Sequence, residues 1–389
     1  DGASWVQLGQ TFEAQEGVPN TSFFGEEVYL DDSGDRLVFS DLGPIQYQFD
    51  PVSFEVFYYW DATVYVYDWN GSVWIQTGGA LKGETGDGFG LDLVLSDDAS
   101  TIAVGSTRMY NADKGTRAIA AQAFRIKDGA WSAVGDTIFG DTADVDAIFV
   151  ALDRTGDTLA VGDIKSDVHS QDGGQVKFYS LSGDSWTQKG QALYGDAGDL
   201  FGGKIALDDS GSIAAISAYK DDEGVYADNG STSVFKWDGT TWALQKKFYG
   251  IGDFAQMFAN SLSDDGGILA TSARYQTVNS LYQAGQATVY QLAIDSDADK
   301  VADLDDAFPL ISLGALKDTD GDGRPDLCNS ICQTSGMSAD LDADGDGVLD
   351  ADENVTGNSS SSQTGVSTTT NAAPAFTNTS FDYLLIENN

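Results

Sequence analysis

Gly203-Lys-Ile-Ala-Leu207-Asp-Asp-Ser-Gly211-Ser-Ile213-Ala-Ala-Ile-Ser217 reads as two short strands joined by a tight turn. Apolar-rich runs flank an Asp-Asp-Ser-Gly turn, where Gly and Asp tolerate positive φ. Two further runs, Ser185 to Lys189 before it and Thr232 to Trp237 after it, complete a unit of four strands. The leucine-led turn recurs as Leu30-Asp-Asp-Ser-Gly, Leu95-Ser-Asp-Asp-Ala, Leu152-Asp-Arg-Thr-Gly and Leu262-Ser-Asp-Asp-Gly. Tryptophans keep the same phase: Trp5, Trp74, Trp131, Trp186 and Trp242 are separated by 69, 57, 55 and 56 residues. Five units therefore occupy residues 1–293. Four antiparallel strands per unit, repeated around an axis, describe the blades of a β-propeller. The fifth unit ends at Gly285-Gln-Ala-Thr-Val-Tyr-Gln-Leu292 without a following Trp strand, whereas the chain begins with an orphan one, Ser4-Trp-Val-Gln-Leu8. The N-terminal strand is expected to complete the last blade and so remove an unpaired edge. The expected fold class is all-β: a propeller of five four-stranded blades closed by the N-terminal strand, plus an irregular, calcium-stabilised aspartate-loop segment.

A chain of 389 residues exceeds what one core usually holds, so more than one unit is expected. Sixty-one Asp and Glu against 20 Lys and Arg give a net charge of -41, which repels nucleic acid and anionic lipid. No apolar run is long enough to span a bilayer, so no direct membrane insertion is expected. Cys328 and Cys332, the two cysteines, are compatible with a local disulfide, with metal ligation or with free thiols.

Phe24-Gly25, Phe89-Gly90 and Phe201-Gly202 recur at one position of the unit, followed by strands such as Ile102-Ala-Val-Gly105 and Leu159-Ala-Val-Gly162. On these residues the units resemble FG-GAP repeats, the blades of integrin α-subunit propellers and of many bacterial and algal surface proteins. Units three and five depart from the pattern with Asp146-Ala147 and Gln256-Met257. No full Asp-x-Asp-x-Asp-Gly run precedes residue 290, so the resemblance implies the fold and not a metal within the propeller.

Past Leu292 aspartates recur at every second residue. Calcium takes six to eight oxygen ligands, and a twelve-residue loop supplies them from positions 1, 3, 5, 7 (a carbonyl), 9 and 12. Asp342, Asp344, Asp346, Val348, Asp350 and Glu353 fill that frame, with Gly347 at the sharp turn. Asp318, Asp320, Asp322, Arg324, Asp326 and Asn329 fill a second, with Gly323 at the turn. Asp295, Asp297, Asp299, Val301, Asp303 and Asp306 fill a third, in which Lys300 replaces the glycine. The tandem resembles thrombospondin type 3 repeats, in which aspartate loops wrap Ca2+ with little other secondary structure. Residues 294–353 are accordingly expected to order on binding calcium, with Phe308 to Ile311 packing inside the repeat.

Residues 354–373 have Ser/Thr-rich linker composition. With Pro374-Ala-Phe376 at its start and Glu387-Asn388 near its end, the stretch 374–389 resembles the opening strand of a cadherin-like domain, which is either the start of such a domain or a strand donated to a neighbour. His169 sits alone in a polar loop, and no Cys-His pair, HExxH or P-loop occurs. The chain is therefore expected not to be an enzyme. An insertion in the first unit gathers Phe54, Phe57, Tyr58, Tyr59, Trp60 and Asp61, either as an extra strand or as a stacking platform. Loops Arg108 to Gly115, Lys165 to Gly174, Tyr219 to Gly230 and Arg274 to Gly285 should emerge on one face as the partner surface. Asn20, Asn70, Asn229 and Asn354 head glycosylation-type triplets.

These readings predict a secreted or cell-surface, calcium-dependent adhesion or structural protein. Its propeller head would bind an extracellular protein or glycan on a calcium-rigidified spacer. The alternatives are a subunit of a self-assembling extracellular fibre using the C-terminal strand, and a secreted carbohydrate-active enzyme, since a glycosidase needs only two carboxylates.

Overall fold

The computed structural model describes residues 6–13, 22–44, 46–50, 55–59, 62–141, 147–222, 226–278, 284–292, 308, 311, 313, 316–319 and 324–342. The chain divides into two compact units, Asp1–Tyr290 and Gln291–Asn389. The first holds β1 (Ser22–Leu30), β2 (Arg36–Pro44), a hairpin of β3 (Gln46–Asp50) and β4 (Glu55–Tyr59), β5 (Thr63–Trp69), β6 (Trp74–Gln76) and a short β7 (Leu81–Lys82). The second blade is β8 (Phe89–Leu95), β9 (Thr101–Asn111), β10 (Thr116–Lys127) and β11 (Ala130–Phe139). The third is β12 (Ile148–Leu152), β13 (Thr158–Asp163), β14 (Gln175–Ser182), β15 (Ser185–Gln188) and a short β16 (Leu193–Tyr194). The fourth is β17 (Phe201–Leu207), β18 (Ile213–Ala218), β19 (Ser231–Trp237) and β20 (Trp242–Tyr249). The fifth is β21 (Met257–Leu262), β22 (Ile268–Ala273) and β23 (Gln286–Gln291).

Each sheet is an antiparallel meander, in order β1-β2-β5-β6, β8-β9-β10-β11, β12-β13-β14-β15, β17-β18-β19-β20 and β21-β22-β23. Five such sheets make a five-bladed propeller, as the repeat predicts. Each leucine-led turn joins the two innermost strands of a blade, and each Trp strand is the outermost strand of the blade before it. Second strands β13 and β18 are buried at every position because a blade covers each face. Their sequences are accordingly runs of small and branched residues rather than alternating ones. Gly162 shows how close the blades come: a Cβ there would lie 2.6 Å from the Gly202 carbonyl oxygen.

The Phe-Gly dipeptide has a physical role. Gly90 and Gly202 take φ of 80° and 97°, and the register of β8 on β9 and of β17 on β18 shifts immediately after them. Glycine permits this bulge, and the bulge turns Phe89 and Phe201 into the core at 1% and 5% exposure. Of the two blades that lack the pair, blade three shows an unshifted ladder from Ile148 to Leu152, whereas blade five shifts between Met257 and Ala259.

Blades are joined by their outer strands. Trp131 Nε1 donates to the Thr77 carbonyl, Trp186 Nε1 to that of Val134 and Trp242 Nε1 to that of Lys189, each at 3.1 Å. Trp74 Nε1 donates in the same way to Leu8, 3.1 Å. The N-terminal stretch thus stands toward blade one as the outer strand of any blade stands toward the next. Gln10 repeats the contacts of Gln191: each exchanges two hydrogen bonds with the backbone of its tryptophan, Trp74 or Trp242. Trp5 lies outside the described residues, and no ladder joins residues 6–8 to β23 among the described ones.

In the first blade the aromatic insertion forms the β3–β4 hairpin, with Gln46 opposite Tyr59. Phe54, Trp60 and Asp61 lie outside the described residues. In the second unit, Cys328 and Cys332 are joined as a disulfide, beside a five-residue helix α1 (Ser330–Thr334). Phe308, Leu313 and Cys332 are buried together with Leu316, Cys328 and Met337 packed against them. Part of the acidic segment therefore has a small apolar core of its own, in which Phe308 packs within the repeat. Residues 354–389, with the expected linker and terminal strand, lie outside the described residues.

Candidate functional site

A cavity of about 300 Å³ lies on the propeller axis, and all five marker leucines, Leu30, Leu95, Leu152, Leu207 and Leu262, line it. The residue two after each leucine, read around the axis, is Asp32, Asp97, Arg154, Asp209 and Asp264. Backbone hydrogen bonds pass from turn to turn at four successive junctions: Asp32 to Asp97, Asp98 to Arg154, Arg154 to Asp209 and Asp209 to Asp264. They hold four carboxylates and one guanidinium around a single mouth. Arg154 reaches Asp32 at 2.6 Å and Asp209 at 3.0 Å. Asp97 is pushed up to about 6 by its burial and by Asp32, Asp209 and Asp264, with Arg154 opposing.

Deeper in, polar groups from several blades face one another. Lys204 Nζ donates to the Tyr29 hydroxyl at 3.5 Å, and burial holds Glu27 above the usual carboxylate range while Lys204 opposes it. Asp92 is 3% exposed; its Oδ2 accepts from the Val150 amide of the next blade at 2.6 Å, and its Oδ1 accepts no hydrogen bond. Burial pushes this carboxyl up to about 7, against the pull of Lys204. Asn260 Nδ2 donates to the Lys204 carbonyl at 3.1 Å and to Ser217 Oγ at 2.8 Å, leaving its Oδ1 without a donor.

Because Asp92 titrates higher folded than unfolded, its contribution is fully present below about pH 4 and is lost as pH rises through about 7. Asp92→Asn, which keeps an acceptor for Val150, should gain on the parent by on the order of 3 kcal/mol between about pH 4 and about pH 8. Urea melts at both pH values check this. A gain that is the same at both would show that the carboxyl is not held neutral.

The opposite end of the blades carries the predicted loops, which link second to third strands. They interlock with the loops entering each blade: Leu200 N donates to Asp172, Phe254 N to Ala227 and Gln256 N to Asp228. Asp172, Leu200, Asp228, Phe254 and Gln256 all have φ between 48° and 57°. Such left-handed non-glycine residues persist only where their surroundings hold them. The same loops expose Tyr110, Val168, Tyr194, Tyr226, Ile251 and Phe254. His169 stacks on Tyr194 at 5.2 Å between ring centroids. Asn229 is fully buried and donates to the Gly250 carbonyl at 2.8 Å, so it is no glycan acceptor in the folded chain.

Of the proposed calcium ligands, Asp318, Arg324, Asp326, Asn329 and Asp342 are described. Asp295, Asp297, Asp299, Val301, Asp303, Asp306, Asp320, Asp322, Asp344, Asp346, Val348, Asp350 and Glu353 lie outside the described residues. Asp326 spans the second loop, accepting from Thr319 N at 2.8 Å and Thr319 Oγ1 at 2.6 Å. Asn329 caps α1, its oxygen accepting from Ile331 N and Cys332 N at 2.9 and 3.0 Å. That oxygen serves the helix as its N-cap. The acceptor-only carboxylates of the loops suit calcium.

The sequence-based reading did not single out the axial ring. Its signal was the third residue of the marker, Asp in four units and Arg in one.

No family model and no curated protein matches the chain. Among solved structures it is similar to a protein of Bacteroides fragilis named as a 6-phosphogluconolactonase, at 15% identity over 61% of this chain and 59% of that one, TM-score 0.40. It is also similar to the periplasmic gluconolactonase of Pseudomonas aeruginosa (13%, 63% of each chain, TM-score 0.40) and to TolB of Acinetobacter baumannii (10%, 71% and 63%, TM-score 0.36). The chain thus spans about three fifths of the length of these structures. Two of the three carry lactonase names, and the expectation that the chain is not an enzyme is withdrawn on that ground. At such identities the likeness concerns the propeller fold and assigns no activity to this chain.

Proposed function

We propose that this protein is an extracytoplasmic binding propeller, which engages a protein or glycan partner through its loop face and is carried on a spacer ordered by calcium. The observation that supports this most is the set of exposed aromatic and aliphatic tips on the loop face, Tyr110, Val168, Tyr194, Tyr226, Ile251 and Phe254. Large apolar side chains displayed on conformationally held loops are the usual anchors of an interface. The disulfide suits an oxidising compartment, and no helix among the described residues is long and apolar enough to cross a membrane. In the spacer, the aspartates of the three loops would hold Ca2+, which would neutralise their mutual repulsion and restrict the backbone.

The test is binding of the full chain to arrays of glycans and extracellular-matrix proteins, with Tyr226→Ala/Phe254→Ala beside the parent. Each truncated hot-spot residue costs about 2 kcal/mol, so the double variant should bind at least tenfold more weakly. In parallel, calcium should protect residues 294–353 from trypsin, and a chelator should abolish that protection. Equal array binding by parent and variant would remove the loop-face reading. Equal cleavage with calcium and with chelator would remove the spacer.

A further inference from the structure

We propose that Asn70 is a glycan attachment site, whose side-chain amide takes an oligosaccharide from a lipid-pyrophosphate carrier. The triplet Asn-Gly-Ser occurs twice in the chain, at 70–72 and at 229–231. An Asn followed two residues later by Ser or Thr is what an oligosaccharide transferase reads. The fold separates the two copies. Asn229 and Ser231 are both fully buried, and the Ser231 hydroxyl is engaged with Asp221 at 2.6 Å. Asn70, Gly71 and Ser72 are all exposed, at the tip of the β5–β6 hairpin.

The tip presents the amide in a fixed pose. Asn70 Oδ1 accepts from Ser72 N and Val73 N, each at 2.9 Å, while Asn70 Nδ2 and the Ser72 hydroxyl make no hydrogen bond among the described residues. Gly71 has φ of 91°, and a Cβ there would meet nothing within 4 Å, so the approach to the tip is open. Trp69 and Trp74, paired across the hairpin with ring centroids 5.4 Å apart, hold its base.

The turn itself does not call for asparagine. In blade four the same hairpin position is Asp238-Gly239-Thr240-Thr241, and Asp238 Oδ1 accepts from Thr240 N at 2.8 Å and from Thr241 N at 2.7 Å. An acceptor oxygen is all that such a turn uses, and aspartate supplies one. Asparagine at position 70 adds what the turn leaves over: an amide nitrogen, two residues before an exposed hydroxyl.

In the transfer, Nδ2 bonds to C1 of the first sugar as the bond from C1 to the pyrophosphate oxygen breaks. The lipid pyrophosphate leaves with the electron pair, and one amide proton passes to a base of the transferase. The Cys328–Cys332 disulfide suits the oxidising compartments through which glycosylated chains pass. Trp69 N donates to the Asp35 carbonyl at 2.7 Å, which sets the tip beside the β1–β2 turn, at the end of the blades away from the loop face. A glycan there leaves the loop face bare, and the proposal stands whether or not that face binds a partner.

Peptide mapping of the full chain, secreted from insect cells, tests it. Trypsin releases residues 37–82 with Asn70 and residues 221–236 with Asn229, and peptide N-glycosidase in oxygen-18 water turns a glycan-bearing Asn into labelled Asp. Label should appear at position 70 and not at 229. Asn70→Asp, which keeps the turn as Asp238 does, and Ser72→Ala should each abolish the glycan on residues 37–82 and match the enzyme-treated parent in Tm. A parent chain without glycan at position 70 would overturn the proposal, and so would finding Asp there in its place through loss of the side-chain amide to the Gly71 nitrogen. A glycan that survives in Ser72→Ala would overturn it too, because the triplet would then not be what is read.

Discussion

Trp242→Ala should lower the unfolding free energy by about 3–5 kcal/mol, the range for deleting a buried tryptophan. Trp242 is 3% exposed, stacks on Phe178 of the preceding blade with ring centroids 3.9 Å apart, and donates to the Lys189 carbonyl. Its deletion opens a cavity at an interface between blades and leaves the part-buried Lys189 carbonyl without this donor. Trp242→Phe separates the two effects, since it keeps most of the ring area while removing the donor, and should cost about 1–2 kcal/mol. Chemical denaturation of both variants checks the ordering. A loss below about 1 kcal/mol for the alanine variant would mean that the blades are not coupled through this residue.

Deleting residues 1–12 should have an effect of similar size, because the N-terminal stretch repeats the outer-strand contacts made elsewhere in the ring. It removes the carbonyl that receives Trp74 Nε1, the paired bonds of Gln10, and Phe12, whose ring lies 4.5 Å from Tyr67 and 5.3 Å from Phe39. Losing about 4 kcal/mol in a unit of this size corresponds to a fall in Tm of roughly 8–16 °C. A synthetic peptide of residues 1–12, added to the truncated chain, should restore part of the fall. If truncation leaves Tm unchanged, the ring does not depend on this strand.

The blades were legible because their determinants are local. Gly203 to Leu207 and Ile213 to Ser217 differ from β17 and β18 by two residues or fewer at any end, since turn chemistry between two apolar runs acts over a few residues. Phe-Gly was legible as a marker but not as a bulge, because bulging is defined by the partner strand. The axial ring was hidden for a different reason. Asp32, Asp97, Arg154, Asp209 and Asp264 stand 55 to 65 positions apart in the chain, and their common mouth exists only once the blades are set around an axis.

Two polar side chains meet backbone partners that their spacing in the chain does not show. Asn229 carries a glycosylation-type triplet yet lies inside the propeller, and Asn329 occupies a ligand position in the loop frame yet caps a helix. Both were read by spacing alone, and spacing does not say which backbone donor or acceptor will come within reach. The state of the two cysteines stayed open in the sequence because a separation of four residues permits a disulfide only where the chain turns sharply, as it does around α1, with 5.3 Å between the two Cα atoms.

The β3–β4 hairpin of the first blade sits where the other blades carry a plain loop between their second and third strands. Blade one still pairs β2 with β5 residue for residue from Arg36–Asp68 to Asp41–Thr63. The junction therefore behaves as a port: length added there leaves the ladder on either side in register. A foreign epitope or reporter domain spliced between residues 50 and 55 would be displayed from a blade whose own pairing is undisturbed, giving the scaffold an attachment point for engineering.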